Sequence, residues 1–401
     1  TLAPNNLRPH HSHVDISNAR LILPGSIQRG SLSIRAGQIH QISKNLKKTT
    51  KSNHSAMNLQ GGFLSPGFVD LHIHGAMGRD TMEARLDAFR KITEFHLHGG
   101  TTSLTLTTLS APQGDILNAL DAIAPIQNRT IGGSRILGVH VEGPFISKEK
   151  AGAQNPNFVR NPSAKEWGPI LKHGKLITQM TFAPELPRAM ALIKALKKNG
   201  SIPSGGHTNA DEKTLEPALK AGMNQSTHTF NAMSSVFKRG AYRSAGMLEF
   251  ALANDAIACE LIADGMHVPP VCMRMLFNSK PRDKVVIITD ATKGAGLKPG
   301  SKFELYGIKC KVTPVTGLVA NGKGLAGSTL TMMRAVQTVV EQADVPLVDA
   351  VLAASLNPAR QLRRDDEFGS LEKGKRADLV WFDNRYKVKG VWLDGELRLL
   401  T

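Results

Sequence analysis

Residues 66–75 read PGFVDLHIHG, and this stretch decides the fold prediction because it joins a buried strand to a pair of histidines. The apolar run at 67–71 predicts a strand, and His72 and His74 follow at its carboxyl end. Side chains alternate between the two faces of a strand, so both imidazoles point to the same side. Short alternating strands precede this stretch, whereas apolar runs separated by amphipathic helical segments follow it. The stretch therefore marks the start of a series of βα units.

Eight segments that read as strands follow one another from this point, with helical periodicity between them. Their number and alternation predict an α/β protein with a (β/α)₈ TIM barrel. The predicted strands are 67–71, 102–107, 136–141, 177–182, 202–206, 225–228, 258–262 and 285–289. The predicted helices include 82–98, 186–198, 328–342 and 347–355.

The two ends of the chain share a strand-like texture that differs from the barrel region. Strand patterns occur at 19–23, 30–34 and 38–42, and they return at 377–382 and 390–392. We expect residues 1–65 and 366–401 to form one small β-sandwich domain, with the catalytic barrel of residues 66–365 inserted between its halves.

Composition limits the classes of protein that the chain can represent. With 401 residues and 41% apolar side chains, it suits a barrel with a smaller module rather than a disordered protein. Fifty basic against 33 acidic residues give a net charge of +17, but the excess is scattered and carries no interleaved aromatics. We interpret it as a solvated surface that attracts an anionic substrate, and we expect no nucleic-acid partner. The sequence has no uncharged apolar stretch that is long enough to predict a membrane span.

The cysteines and the amino-terminal residues indicate the cellular compartment of the protein. Cys259, Cys272 and Cys310 are odd in number and lie outside any CxxC pattern, which argues against both a disulfide framework and a thiolate zinc site. Residues 1–13 are polar and lack the apolar region of a secretory signal. We expect a cytoplasmic protein.

Ionisable residues follow the predicted strands at their carboxyl ends, where TIM-barrel enzymes carry their active sites. Besides the HxH pair, these residues are Glu142, His207, His228 and Asp290, after strands three, five, six and eight. Imidazole and carboxylate are the ligands that zinc or a similar divalent ion uses at an open catalytic site. Asp290 could accept a proton from water activated by such an ion. A single histidine at a strand end is more often structural, so the prediction of metal-dependent hydrolysis requires that these residues meet.

Several strings in this chain resemble known families. The stretch 66–75 is similar to the first-strand signature of the amidohydrolase superfamily. More specific are HVEGPF at 140–145, GHTNA at 206–210, THTFNAM at 227–233, ADGMHV at 263–268, TDA at 289–291 and LAGSTLTM at 325–332. In this order they resemble the N-acetylglucosamine-6-phosphate deacetylase family, from the first strand to residues 369–378.

This resemblance implies roles for the residues at the strand ends. In the family, the glutamate of the EGP string and the histidines of the GHT and THTFNAM strings bind the principal metal, which here means Glu142, His207 and His228. The aspartate of the TDA string is the family's general base and acid, which is Asp290 here. Some members use the HxH pair for a second metal, so one or two divalent ions are implied, with Zn²⁺ as the expected metal.

The resemblance also implies a sugar-phosphate site and a homodimer. The family binds the phosphate near the FNAM string, through a histidine of the ADGxH string and through an arginine from the neighbouring subunit; Asn231, Ala232, His267 and Arg239 stand at these places. The string FKRGAY at 237–242 departs from the family pattern around Arg239. Many members have a substrate-contacting histidine where this chain has Gln154, which donates a hydrogen bond but carries no titrating proton.

The implied reaction is hydrolysis of N-acetylglucosamine 6-phosphate to glucosamine 6-phosphate and acetate. N-acetylgalactosamine 6-phosphate or a related N-acyl substrate remains an alternative, because no motif separates an axial from an equatorial hydroxyl. Dihydroorotase-like or dipeptidase-like relatives bridge their metals with a strand-end lysine, and the predicted strands offer none. The string GLVANGKG at 317–324 approaches a nucleotide-binding Walker A pattern, but Gly324 replaces its final Ser or Thr.

Overall fold

Eight parallel strands form the barrel at the centre of the protein, whose computed structural model describes residues 13–44, 55–319 and 324–401. The strands follow the order of the sequence, so each pairs with the strand that comes next along the chain. They are Phe68–Ile73, Thr101–Thr107, Arg135–Glu142, Ile177–Phe182, Ile202–Gly205, Gln225–Ser226, Ala258–Ile262 and Val285–Ile288. The predicted barrel is confirmed, and no strand boundary differs from its prediction by more than two residues.

Hydrogen bonds between the ends of the first and eighth strands close the barrel. The amide of Asp290 donates to the carbonyl of His72 at 2.9 Å, and the amide of His74 donates to the carbonyl of Ala291 at 2.8 Å. Ile73 and Ala291 form a parallel bridge at the same place. Closure therefore sets the HxH pair beside Asp290, although more than 200 residues separate them along the chain.

Helices surround the barrel and bury one face against its strands. In Ala189–Asn199, for example, Leu192, Ile193 and Leu196 are fully buried. The α-helices are Leu86–His98, Gln113–Ile123, Ala164–Leu171, Ala189–Asn199, Glu212–Ala221, Met247–Ala253, Pro270–Ser279, Met332–Ala343, Leu347–Ala354 and Leu356–Gln361. Within the described ranges, none of them has both the length and the apolar character needed to cross a bilayer.

Three helices begin later than predicted, and each has a local reason. The helix predicted at 82–98 begins at Leu86, because Ala84 has a left-handed backbone with φ 51°. The helix predicted at 186–198 begins after Arg188, which has φ 67°. The helix predicted at 328–342 begins after Thr331, whose side chain accepts a hydrogen bond from the amide of Arg334.

Strands from both chain ends form one eight-stranded mixed sheet beside the barrel. Phe63–Pro66 joins the two ends, because it pairs with Val14–Leu23 on one side and with Leu379–Phe382 on the other. The sheet is strongly curved, and Gly37 packs against Asp394 near its other edge. It thereby encloses an apolar core of its own, as in a sandwich. Residues 1–12 and 45–54 of the predicted domain lie outside the described residues. The strands are Val14–Leu23, Ser26–Arg35, Gln38–Ser43, Ser55–Asn58, Phe63–Pro66, Leu379–Phe382, Val388–Leu393 and Glu396–Leu400.

A four-stranded antiparallel sheet, which the sequence interpretation missed, follows the eighth barrel strand. Its strands are Lys302–Leu305, Ile308–Val312, Thr316–Val319 and Leu325–Ser328. Leu305 and Ala326 pack against Leu109, next to the carboxyl end of the second barrel strand. The Walker-like string runs from strand Thr316–Val319 towards strand Leu325–Ser328, and its residues 320–323 lie outside the described part. A phosphate-binding loop leads from a strand into a helix, so this string does not have the required context.

Two short hairpins complete the described strands. One joins Gly75–Ala76 to Arg79–Asp80 directly after the HxH pair, and the other joins Phe237–Arg239 to Tyr242–Ser244.

Candidate active site

Glu142, His207 and His228 meet at the carboxyl end of the barrel. The Nε2 atoms of His207 and His228 lie 3.1 and 3.0 Å from Oε1 of Glu142, and 3.0 Å from each other. All three side chains are buried. Tetrahedral ligands that are about 2.0–2.1 Å from a zinc ion stand about 3.3 Å from one another, so these atoms have the spacing of a shared ion. The donor set of two imidazoles and a carboxylate fits a divalent metal.

The HxH pair lies on the other side of the same glutamate. Nε2 of His74 is 3.0 Å from Oε2 of Glu142, and Nε2 of His72 is 3.2 Å from that of His74. These three residues form a second group whose ligand atoms could hold a metal ion. Because one oxygen of Glu142 faces His207 and His228 and the other faces His74, the carboxylate could bridge two ions.

Asp290 stands beside the HxH pair. Its Oδ1 lies 3.4 Å from Nε2 of His72 and 3.3 Å from Nε2 of His74. Burial by itself would raise the pKa of Asp290, but His72 and His74 hold it below its ordinary value. The pKa of Glu142 is likewise raised by burial, yet the surrounding histidines lower it well below its ordinary value. Both groups are therefore carboxylates at neutral pH.

Three of these residues leave their strands through a strained backbone. The φ angles of His207, His228 and Asp290 are 47°, 30° and 48°. Left-handed backbone costs a residue with a side chain about 1–2 kcal/mol, and such strain collects at functional sites. No local pattern indicates this strain, because none of the three residues is a glycine.

Hydrogen bonds hold the cluster in position. Nδ1 of His207 lies 2.7 Å from the carbonyl of Lys150, which fixes the proton on Nδ1 and leaves Nε2 free for a metal. Nε2 of Gln154 donates to Oε2 of Glu142 at 2.7 Å, while its Oε1 accepts from the amide of Ser110 at 2.7 Å. Gln154, predicted to contact substrate, thus also orients the central glutamate.

Glu260 lies beneath the cluster and was not predicted. One of its oxygens accepts hydrogen bonds from Gln179 at 3.1 Å and from Gln225 at 2.8 Å. The other lies 3.4 Å from Nδ1 of His72 and accepts from the amide of His228 at 3.2 Å. A charged residue inside the apolar strand Ala258–Ile262 was the signal that could have identified it. With Nδ1 of His72 facing Glu260, Nε2 of His72 faces Glu142 and Asp290, at 3.5 and 3.4 Å.

A cavity of about 380 Å³ opens in front of the cluster. The residues predicted to bind substrate that line it are Gln154, Asn231, Ala232 and His267. Nδ1 of His267 is 2.7 Å from Oδ2 of Asp264, a carboxylate whose pKa is raised by burial but lowered further by this contact. Lys150, which the sequence interpretation overlooked, is the one Lys or Arg that lines this cavity in the described part of the chain.

Arg239 does not line the cavity of its own subunit. It lies on the hairpin Phe237–Arg239, where Nη2 donates to Oδ2 of Asp211 at 2.5 Å and the side chain is 56% exposed. Within one subunit, Arg239 is therefore separate from the residues predicted to share its role.

Comparisons with known proteins agree on the family. The amidohydrolase family profile matches residues 63–398. The N-acetylglucosamine-6-phosphate deacetylase of Bacillus subtilis is 36% identical over 360 residues, which cover 88% of this chain and 89% of that protein. The N-acetylgalactosamine-6-phosphate deacetylase of Escherichia coli O157:H7 is 33% identical over 335 residues, or 83% and 87% of the two chains. A mutant N-acetyl-D-glucosamine-6-phosphate deacetylase from Mycobacterium smegmatis, solved in complex with N-acetyl-D-glucosamine-6-phosphate, superposes with a TM-score of 0.89 at 28% identity, covering 97% of this chain and 100% of the other.

Proposed function

The chain belongs to the amidohydrolase family, and on that premise we propose that it hydrolyses N-acetylglucosamine 6-phosphate to glucosamine 6-phosphate and acetate. The observation that carries this proposal is the meeting of Glu142, His207 and His228 around one point, with Asp290 at its edge. The relatives that carry this name cover most of the chain and support the choice of substrate.

Glu142, His207 and His228 would hold the principal divalent ion, for which Zn²⁺ is the proposed identity because nitrogen and carboxylate donors suit it. His72 and His74 would hold a second ion together with Glu142. When bound, such an ion polarises the acetamido carbonyl and lowers the pKa of a coordinated water.

The protein's own groups would handle the protons. Asp290 accepts a proton from the attacking water and later donates it to the nitrogen of the departing amine. Gln154 keeps Glu142 in place during both steps through its hydrogen bond to Oε2. Burial of the cluster excludes bulk water, so these electrostatic contacts act in a medium of low dielectric constant.

The phosphate end of the substrate would lie against Asn231, Ala232 and His267. The contact between Nδ1 of His267 and Asp264 orients the ring and leaves its Nε2 for the substrate. We propose that Arg239 reaches this place from the partner in a homodimer, since its fork binds phosphate oxygens bidentately. Val236 and Tyr242 near it are 53% and 79% exposed, which supports an interface at this hairpin.

A second candidate substrate is N-acetylgalactosamine 6-phosphate. The relative from Escherichia coli O157:H7 that carries the name of that activity is nearly as similar as those named for the gluco epimer. The two substrates differ only in whether one ring hydroxyl is axial or equatorial.

Acetate release from both epimers, each with and without the 6-phosphate, would test the proposal on a preparation whose metal content is measured. We expect the largest kcat/KM for N-acetylglucosamine 6-phosphate, and a loss of roughly 10²-fold or more without the phosphate, because charge-assisted contacts are lost. Faster release from the galacto epimer would favour the second candidate. An enzyme replete with metal that releases acetate from none of them would refute both.

A cytoplasmic location and the absence of a nucleic-acid partner complete the proposal. Cys259, Cys272 and Cys310 are free, which supports a reducing compartment. Salt-dependent binding of DNA in a filter assay would contradict the proposed absence of a nucleic-acid partner.

A further inference from the structure

A second large cavity, of about 820 Å³, lies at the amino end of the barrel, opposite the candidate active site. Its wall includes the residues that precede strands three to six, such as Asn128, Lys175, Gly200 and Asn224, and a segment that follows the last helix. None of these residues belongs to the cluster around Glu142.

The charges that line this cavity are strongly unbalanced. Four cationic side chains, Lys175, Lys197, Arg363 and Arg364, face a single carboxylate, Glu367. Glu367 is already paired, since it lies 2.7 Å from Arg364. Among the described residues, the side chains of the other three cations have no ion-pair or hydrogen-bond partner. Cations that gather without carboxylates raise the local concentration of anions.

Two of the cations are held in position by their surroundings. The side chain of Lys197 lies across Gly222, where a Cβ would stand 2.9 Å from Cδ and 3.6 Å from Nζ. Arg364 donates to Oδ1 of Asn128 at 2.7 Å on the side of the third strand. Because Glu367 neutralises Arg364, the free positive charge on the side of strand three is that of Lys175, whose carbonyl accepts a hydrogen bond from Nε2 of Gln127 at 3.0 Å. The charge of Lys197 lies on the other side, next to strand six.

An unsatisfied polar group points to a missing partner in the same wall. Oδ1 of Asn224 is buried, and no group in the described residues hydrogen-bonds to it. Asn224 also lines the cavity, and its Nδ2 makes no hydrogen bond within the described residues, so the amide nitrogen is left to donate to a ligand.

From these observations we propose that the cavity at the amino end of the barrel binds a small molecule that carries two phosphate groups. Each side of positive charge would bind one phosphate group of the ligand. The amide of Asn224 would bind a polar group between the two phosphates, such as a sugar hydroxyl. This site is separate from the proposed deacetylase site and does not depend on that activity.

Isothermal titration calorimetry of the full protein with fructose 1,6-bisphosphate, at constant ionic strength, tests the proposal. We expect saturable binding with a Kd below about 1 mM. In a second arm, inorganic phosphate should bind at least about tenfold more weakly, because it reaches only one side of the cavity. No saturable heat with the bisphosphate, or equal affinity for the two ligands, would overturn the proposal.

Matched variants locate the binding. Lys197→Met should raise the Kd for the bisphosphate about tenfold, and Arg363→Met should do the same, since each removes an unpaired cation. Lys198→Met is the control, because Lys198 lies next on the same helix and loses the same charge but does not line the cavity. Equal Kd values in Lys197→Met and Lys198→Met would show that the anion binds elsewhere and would contradict the proposed site.

Discussion

The two ends of the barrel make the same kind of sharp backbone turn with different residues. At the amino end, the residues with positive φ before strands two, five and six are Gly100, Gly200 and Gly222. At the carboxyl end, the residues with positive φ after strands five, six and eight are His207, His228 and Asp290. Glycine adopts this backbone without a steric cost, whereas other residues pay about 1–2 kcal/mol. At these positions the amino end avoids the strain by using glycine, whereas the carboxyl end accepts it at residues with ionisable side chains.

The largest expected effect comes from Asp290→Asn at the strained end. Asparagine tolerates a left-handed backbone, so the fold and the metal content should persist. Loss of the general base should lower kcat by about 10²–10⁴-fold in an acetate-release assay. Asp255→Asn, at an exposed position, is the control for the change of charge. Activity close to that of the unmodified protein would remove Asp290 from its proposed role.

Acid should lower the free energy of unfolding through His96, which is buried near the carboxyl end of the barrel. Its Nε2 lies 3.4 Å from the carbonyl of Gly75. Burial lowers the pKa of His96 to about 4, against about 6.5 in the unfolded chain. Between these values the unfolded chain binds the extra proton, so stability is present above pH 6.5 and is lost as the pH falls towards 4, by up to about 3 kcal/mol.

Urea unfolding at several pH values would measure this loss. We expect His96→Gln to flatten the decrease in the free energy of unfolding between pH 6.5 and 4, since glutamine keeps a donor but does not titrate. His98→Gln, at an exposed position on the same helix, should leave the decrease unchanged. Identical pH profiles for the two variants would show that His96 does not carry the effect.

A smaller effect is expected from Glu260→Gln below the metal-binding groups. An amide group would place a donor against Gln179, Gln225 or His72, and so disturb the orientation of His72. Changes to a residue that orients a metal ligand typically lower metal affinity about 10–100-fold. Metal titration should show this loss, while the KM at saturating metal stays the same. Glu216→Gln, on an exposed helix face, provides the comparison; an equal metal affinity in both variants would contradict the role of Glu260.

The smallest effect is expected from a glycine substitution at the amino end of the barrel, which tests whether glycine there avoids backbone strain. Gly200 has φ 83° and open space where a Cβ would stand, so Gly200→Ala changes only the backbone strain. It should lower the free energy of unfolding by about 1 kcal/mol and leave kcat unaltered. Gly114→Ala, inside the helix Gln113–Ile123 and also in open space, should instead stabilise by about 0.5–1 kcal/mol. The same sign in both variants, measured by urea unfolding, would disprove the explanation by backbone angle.

Sequence patterns predicted the barrel well because buried parallel strands appear as apolar runs, and Gly99 and Gly200 follow two helices where the patterns end. The meeting of Glu142, His207 and His228 could also be foreseen, because strand ends of one barrel share a rim. The metal-binding and catalytic roles of these residues stay predictions.

Other features depend on tertiary contacts that no local pattern records. The antiparallel sheet Lys302–Ser328 has short strands, and its exposed and buried residues alternate too briefly to stand out from loops. Lys150 lines the cavity from a loop whose position depends on the contact between its carbonyl and the distant His207. The left-handed angle of Asp290 arises where closure of the barrel ties its amide to His72.

The joining strand Phe63–Pro66 has a consequence for synthesis on the ribosome. Its partner Leu379–Phe382 follows the barrel along the chain, so one edge of the strand stays open while the whole barrel is translated. An open edge can pair with strands of other nascent chains, so the aggregation risk is greatest before this partner strand has been translated. Translation of Leu379–Phe382 ends that exposure, because this strand then pairs with Phe63–Pro66.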